Sequence, residues 1–241
     1  MTSSPAGFDD YAAEYDAALD QGIRVSGECK DYFARSRIEW LRACLKALQE
    51  RPSIILDYGC GTGLTTSFFR ELVSDASVLG VDVSSKSLDF ATRLHGSDGI
   101  KFLLFDQYTP NAEIDLAFCN GVFHHILPRN RASAIDYIYR SLRPGGLFAL
   151  WENNPWNPGT RYVMRRIPFD RDAIPLPAPE TRQLLCAGGF DIIRIDFLFI
   201  FPRALRWFRT LEPLVSKLPL GAQYQVLCRK PFTMPPAALF R

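Results

Sequence analysis

From Ser53 onward the chain alternates short, almost unbroken apolar runs with stretches of helical periodicity. The order is SIILDY then LTTSFFRELV, SVLGVD then SKSLDFATRL, IKFLLF, IDLAFCN then RASAIDYIYRSL, and finally GLFALWE. A strand that is apolar at nearly every position is covered on both faces, and strands separated by helices run parallel. The pattern therefore predicts a doubly wound α/β core over 49–152. Arg143-Pro144-Gly145-Gly146 joins late-helix charge to two kinds of breaker, and predicts a turn into the fifth strand.

On the N-terminal side, Tyr32, Phe33, Ile38, Trp40, Leu41, Leu45 and Leu48 recur at helical spacing, so 1–48 reads as a helical segment. On the C-terminal side, 153–177 is proline-rich and too long for a simple connection, which suits a cover over the end of the sheet. Residues 178–241 supply a helix from about Pro179 to Ala187, then two strands, FDIIRIDFLFIF and AQYQVLCRK. An amphipathic insertion at 202–221 joins these strands, which predicts an antiparallel hairpin at the sheet edge. All 241 residues read as one domain.

Composition changes this picture little. Hydrophobic residues make up 47% and charged ones 22%, the balance of a folded globular chain, and the net charge of +2 comes without a block of like charges that would suit nucleic acid. The six cysteines form no CxxC pair, so reduced thiols and a reducing compartment are expected, with no metal site. The polar, acidic start is not a signal peptide, and no apolar run reaches the roughly 18 residues of a membrane span, which makes the cytoplasm the expected location.

The strongest chemical signal is Asp57-Tyr58-Gly59-Cys60-Gly61-Thr62-Gly63, at the end of the first strand. Alternate glycines let the backbone turn tightly and approach a ligand, while the next helix offers its free N–H groups. Asp82 ends the second strand, where a carboxylate can accept from two ribose hydroxyls. Asp106, with Gln107 beside it, follows the third strand and could accept from an adenine amino group. A dinucleotide oxidoreductase shares such features. Its G-x-G-x-x-G fingerprint fails here, because the turn reads GCGTGLTT.

The run ILDYGCGTG, GVDVS, FDQ, DLAFCNGVFHHI and LRPGG resembles the class I S-adenosylmethionine-dependent methyltransferases of small-molecule type, strongly over about 50–152. That resemblance implies a Rossmann-like, mostly parallel seven-stranded sheet with an antiparallel last strand, and S-adenosylmethionine as methyl donor. It puts Gly59, Cys60, Gly61 and Gly63 against the methionine part of the donor and Asp57 near its amino group. Asp82 and Val83 fall at the ribose, Asp106 and Gln107 at the adenine, and Asn120 and Gly121 on the fourth-strand wall. FDDYAAEYD resembles the family's N-terminal lid, in which Tyr11 and Tyr15 share a helical face and could shield the sulfonium. A methyltransferase-fold protein without transfer activity is a further alternative to the oxidoreductase.

His124 and His125, after the fourth strand, and Glu152, ending the fifth, stand where a general base or a substrate contact would be needed. The cover holds Trp156, Arg161, Tyr162 and Arg165 as acceptor-binding candidates. The basic, amphipathic 202–221 insertion has two readings: closure of the acceptor pocket, which is preferred, or contact with a membrane surface. The expected partner is a small-molecule acceptor. Its identity, the atom methylated and the oligomeric state are open at this point.

Overall fold

The computed structural model describes residues 15–73, 75–170 and 172–232. Tyr11 and most of the FDDYAAEYD motif lie outside the described residues, and so does the side chain of Tyr15. Seven strands form one sheet in the order β3-β2-β1-β4-β5-β7-β6. These are β1 (Ile54–Tyr58), β2 (Ser77–Asp82), β3 (Ile100–Leu104), β4 (Ile114–Asn120), β5 (Leu142–Asn153), β6 (Asp191–Leu198) and β7 (Gln223–Arg229). The first five pair in parallel, and β7 runs antiparallel to both β5 and β6. The late pair thus closes one edge, as the two predicted strands require.

Helices α1 (Tyr15–Ile23) and α2 (Lys30–Ala47) precede the sheet. The alternating helices α3 (Leu64–Leu72), α4 (Ser85–His95) and α5 (Pro128–Ser141) follow β1, β2 and β4, and α6 (Pro158–Met164), α7 (Ala178–Ala187) and α8 (Glu212–Val215) come later. The reason β5 reads as an unbroken apolar run is visible in its packing. Phe148 and Leu150 face one core layer with Ile135 and Ile138 of α5, while Leu147, Ala149 and Trp151 face the other with Ile38 and Leu41 of α2. Both faces exclude water, so alternation in orientation produces no alternation in polarity.

Two local expectations change. The Arg143-to-Gly146 breakers do not separate helix from strand: α5 ends at Ser141, β5 begins at Leu142, and the breakers form an irregularity inside it as Leu142 pairs with Ile114 and Leu147 with Leu116. A bulge absorbs the extra residues because Gly145 takes φ of +80°, and its N–H donates to the Lys230 carbonyl of the neighbouring edge. The 153–177 cover is not all loop, since Pro158 and the Asn157 side chain, which accepts from Thr160 N–H, start α6 within it.

The first glycine turn is held by β2, where the Val81 carbonyl accepts from the N–H groups of Gly59 and Cys60 at 2.8 and 3.1 Å. Gly59 has φ of +74°, and a Cβ there would run into the Val122 side chain. Gly59→Ala should therefore destabilise the fold by about 2–4 kcal/mol, combining left-handed strain with overpacking. Thermal unfolding checks this, and an unchanged midpoint would refute the packing argument.

Candidate active site

The carboxyl ends of the parallel strands meet at one edge, and the strand order reverses between β1 and β4, which opens a crevice there. The glycine turn lies on this crevice with φ of +74°, +54° and +81° at Gly59, Gly61 and Gly63. The three glycines serve different purposes. A Cβ at Gly63 would press on Phe102 and Ala91, so that residue is small for packing, whereas a Cβ at Gly61 would meet nothing within 4 Å. Gly61 is the point at which a ligand can approach the backbone.

Asp82, at the end of β2, braces the turn. Its carboxylate accepts from Gly61 N–H at 2.8 Å and from Ser84 N–H at 2.9 Å. Asp57 is buried at the end of β1 and accepts from the Thr66 hydroxyl at 2.6 Å. Burial raises its carboxyl to about 7, against the opposing effect of the Thr66 hydrogen bond. Cys60 is no nucleophile, since burial pushes its thiol well above the ordinary range.

A cavity of about 440 Å³ extends from this turn. Asp57, Gly59, Cys60, Gly61, Asn120 and Gly121 line one part, and His124, His125 and Asp170 line another. Apolar side chains that include Ile23, Phe33, Met164, Ile167 and Phe199 also line it. Asn120 presents a buried side-chain oxygen with no hydrogen-bond partner among the described residues. Such an atom asks for a donor from a ligand. The open side of Gly61, the Asp57 carboxyl and this oxygen together fit the ammonium-bearing part of an amino-acid-like cofactor. Asp82, Val83, Asp106 and Gln107 lie outside the lining. Val83, Asp106 and Gln107 are exposed, and the Gln107 carbonyl accepts from Leu104 N–H at 3.0 Å.

The polar end is built around His124. Its Nδ1 is 2.6 Å from Glu152 Oε2, and Glu152 Oε1 accepts from Phe123 N–H at 2.7 Å. On the other side, Asp170 Oδ1 is 3.5 Å from His124 Nε2 and 3.3 Å from His125 Nε2. Burial alone would lower the imidazole's pKa, but the flanking Glu152 and Asp170 carboxylates outweigh it and raise it to about 10. Burial would likewise raise the Asp170 carboxyl, yet hydrogen bonds with the two histidines hold it at about 2. His124 is 3% exposed and locked in place, while His125 retains 14% of its surface. Only His125 of the two offers much surface to an acceptor. His124, His125 and Asp170 bring one nitrogen or carboxylate oxygen each to within 4.8 Å of one another, so the same three side chains could also take a divalent cation.

Asp170 is the residue that sequence reasoning missed. It sits in a short 3₁₀ turn, Pro168–Asp170, inside the cover, and nothing in its spacing from the histidines announces it. Arg131 makes the meeting possible: its guanidinium donates to the carbonyls of Phe123, Ile126 and Ile174, and Ile174 N–H donates to the His124 carbonyl. The proposed acceptor residues fall elsewhere. Trp156, Arg161, Tyr162 and Arg165 are exposed and outside the cavity, while Thr160, Val163 and Met164 of the same helix line it. The amphipathic helix turns its apolar face inward, and the arginines go to water.

This arrangement, a doubly wound seven-stranded sheet with an antiparallel β7 and a glycine turn opening on a crevice, is that of a cofactor-binding α/β protein. Its relatives say which. A methyltransferase domain family model matches residues 56–150. The trans-aconitate 2-methyltransferase of Methylobacterium nodulans is 32% identical over 199 residues, covering 74% of this chain and 76% of that one. That of Azoarcus is 30% identical over 149 residues, where this chain spans 57% of its length. A solved S-adenosylmethionine-dependent methyltransferase of Mesorhizobium loti shares the fold with a TM-score of 0.56 at 21% identity, over 78% of this chain and 96% of that one. The chain belongs to the class I S-adenosylmethionine-dependent methyltransferases. The oxidoreductase alternative falls with that result.

Glu152 has no exposed surface and compensates both an imidazolium and a backbone N–H. Glu152→Ala should lower stability by about 3–5 kcal/mol, the usual cost of breaking a buried ion pair from one side. Denaturant unfolding measures it, and a loss within the range of surface substitutions would show that the pair is not structural.

Proposed function

We propose that the protein transfers the methyl group of S-adenosylmethionine to a hydroxyl oxygen of a small amphiphilic acceptor. The supporting observation is that one cavity is lined by the glycine turn, Asp57 and Asn120, by the His124–His125–Asp170 cluster, and by apolar side chains. The donor supplies an electrophilic methyl on a sulfonium, and so needs little activation. The protein's task is therefore positioning.

Asp57 and Asn120 would receive the donor's ammonium, Gly61 would let its chain lie on the backbone, and Asp82, already bracing the turn, would accept from the ribose. The apolar body of the acceptor would rest on Ile23, Phe33, Met164, Ile167 and Phe199. His125 would take the hydroxyl proton as oxygen attacks carbon. Asp170, beside Nε2, orients the ring and favours a proton on that nitrogen. Glu152 and His124 are positioning residues, acting through the location of Asp170 and the loop. The relatives' acceptor, trans-aconitate, is a guide to size rather than identity.

A labelled methyl donor with a panel of hydroxyl-bearing amphiphiles tests the transfer itself. With an acceptor in hand, His125→Ala should reduce kcat by about 10²–10⁴-fold while leaving donor affinity intact. Equal loss of donor binding would return His125 to a packing role, and loss of wild-type activity on chelation would assign the cluster to a cation.

Asp57 gives a separate pH test. Its carboxyl is raised to about 7, so below that pH the free protein holds it neutral and unable to pair with an ammonium. Donor affinity should fall about tenfold per pH unit below 7 and level off above it. Asp57→Asn should abolish the dependence. Calorimetric titration decides, and a flat wild-type profile would remove Asp57 from the ammonium site.

A further inference from the structure

The 203–220 segment inverts the usual polarity of a surface element. Between Pro202 and Gly221 it forms a 3₁₀ run, Arg203–Leu211, followed by α8. No residue of the 3₁₀ run is buried. Leu205, Trp207, Phe208, Leu211, Leu214 and Leu218 are all exposed, Trp207 at 66% and Leu214 at 79%. Single exposed apolar residues are normal on a protein surface, but a concentration of this kind marks a contact site.

The segment is nonetheless anchored, and its polar atoms do the anchoring. The Glu212 carboxylate accepts from the N–H groups of Phe199, Ile200 and Phe201 at 3.3, 3.0 and 3.1 Å. Arg209 donates to the Phe201 carbonyl and pairs with Glu28 at 2.9 Å. Lys217 reaches the Ile195 carbonyl and Asp196, and the Ser216 carbonyl accepts from Phe197 N–H. Polar groups turn inward to the sheet edge and apolar side chains turn out. The pocket-closing reading of the insertion thus holds for only a few residues: Phe201, Pro202 and Arg209 line the cavity, while the residues above stay outside it.

We infer that this face docks on an anionic membrane surface. Its charge decides among occupants. Glu212 is the one acidic residue of 202–221, and it is engaged with backbone amides, whereas Arg203 and Arg206 are exposed beside Trp207. Arg161, Arg165 and Arg166 extend the basic surface, because α6 is tied to the end of the segment by Asn157 donating to the Leu220 carbonyl and Thr160 to the Ala222 carbonyl. A second copy meeting this face about a two-fold axis would set arginine against arginine, with Glu212, the segment's one carboxylate, already engaged by backbone amides. Leucine and tryptophan flanked by arginine match the interface of an anionic bilayer, where apolar groups enter the acyl boundary and guanidinium groups meet phosphate. Phe201, Pro202 and Arg209 put the cavity mouth on the same segment, so docking brings the mouth to the lipid surface. The inference stands whatever the acceptor is.

Co-sedimentation of the full chain with phosphatidylcholine vesicles, with and without phosphatidylglycerol, tests it. The expected result is partition at least about tenfold stronger onto the anionic vesicles, weakened by salt, with a blue shift of tryptophan emission. Trp207→Glu with Leu214→Glu should abolish partition and the shift, yet leave thermal unfolding and donor affinity unchanged because both side chains point away from the cavity. Arg203→Glu with Arg206→Glu should remove the preference for phosphatidylglycerol. A wild type that stays in the supernatant with both vesicles overturns the inference. So does a double variant that partitions as well as wild type, or a concentration-dependent dimer lost in Trp207→Glu/Leu214→Glu without any vesicle binding.

Discussion

Glu152 carries a carboxylate to a place at the end of β5 that water does not reach. A charge there must be compensated within the protein, and what compensates it organises the acceptor side of the cavity. One oxygen takes the Phe123 N–H, which sets the path of the chain as it leaves β4; the other takes His124 Nδ1. The imidazolium so stabilised attracts Asp170 from the distant cover, and Asp170 in turn approaches His125. Its contribution to folding has a definite sign. A histidine whose pKa rises to about 10 stabilises the fold fully below its ordinary value near 6.5, and that stabilisation is lost as pH climbs through 10.

On the proposed function, the two halves of the cavity use different materials. The donor half is mostly backbone, with a glycine turn hung from the Val81 carbonyl, braced by Asp82 and opened by the absence of a side chain at Gly61. Such a half can be specified within a short stretch of sequence. The acceptor half is assembled from side chains on α1, α2, the loop after β4, α6 and the link after β6, brought together by long-range contacts such as Arg131 to Ile174 and Arg37 to Gln223. A family can therefore keep one donor and change its acceptors.

This division explains what could be read from the chain. The alternation of apolar runs and helices yields the first five strands, and two later β-rich runs yield β6 and β7; the central strands are easiest to read because both their faces are covered. The turn from Asp57 to Gly63 is local and carries much of the family resemblance. Asp170 was not legible: it lies 45 residues beyond His125, and long-range ties such as Arg131 to the Ile174 carbonyl and Ile174 N–H to the His124 carbonyl make them neighbours. Trp156, Arg161, Tyr162 and Arg165 were chosen for residue type, but Trp156 is exposed ahead of α6, and along the helix Arg161, Tyr162 and the C-cap Arg165 face outward while Val163 and Met164 line the cavity. The insertion misled for the converse reason. An amphipathic pattern predicts two faces, and only the fold shows that the polar groups of this one are used up against Ile195, Asp196 and the 199–201 amides.

Asp57 completes the electrostatic argument because it is the opposite of Glu152. Among the described residues no cation pairs with its charge; it accepts from the Thr66 hydroxyl, and desolvation raises its pKa to about 7. A carboxyl shifted upward favours the fold in its neutral form. That advantage is complete below the ordinary value near 4 and is gone once pH has risen through 7. Around neutrality the protein therefore carries an uncompensated acid at the end of β1, where core packing would be better served by an apolar side chain. A residue that weakens the fold at working pH is explained by what it meets when the cavity is filled. On the proposed function, the donor's ammonium would offset the charge there as His124 offsets Glu152, so that half of the cavity would be completed by its ligand while the charges around His124 are already balanced.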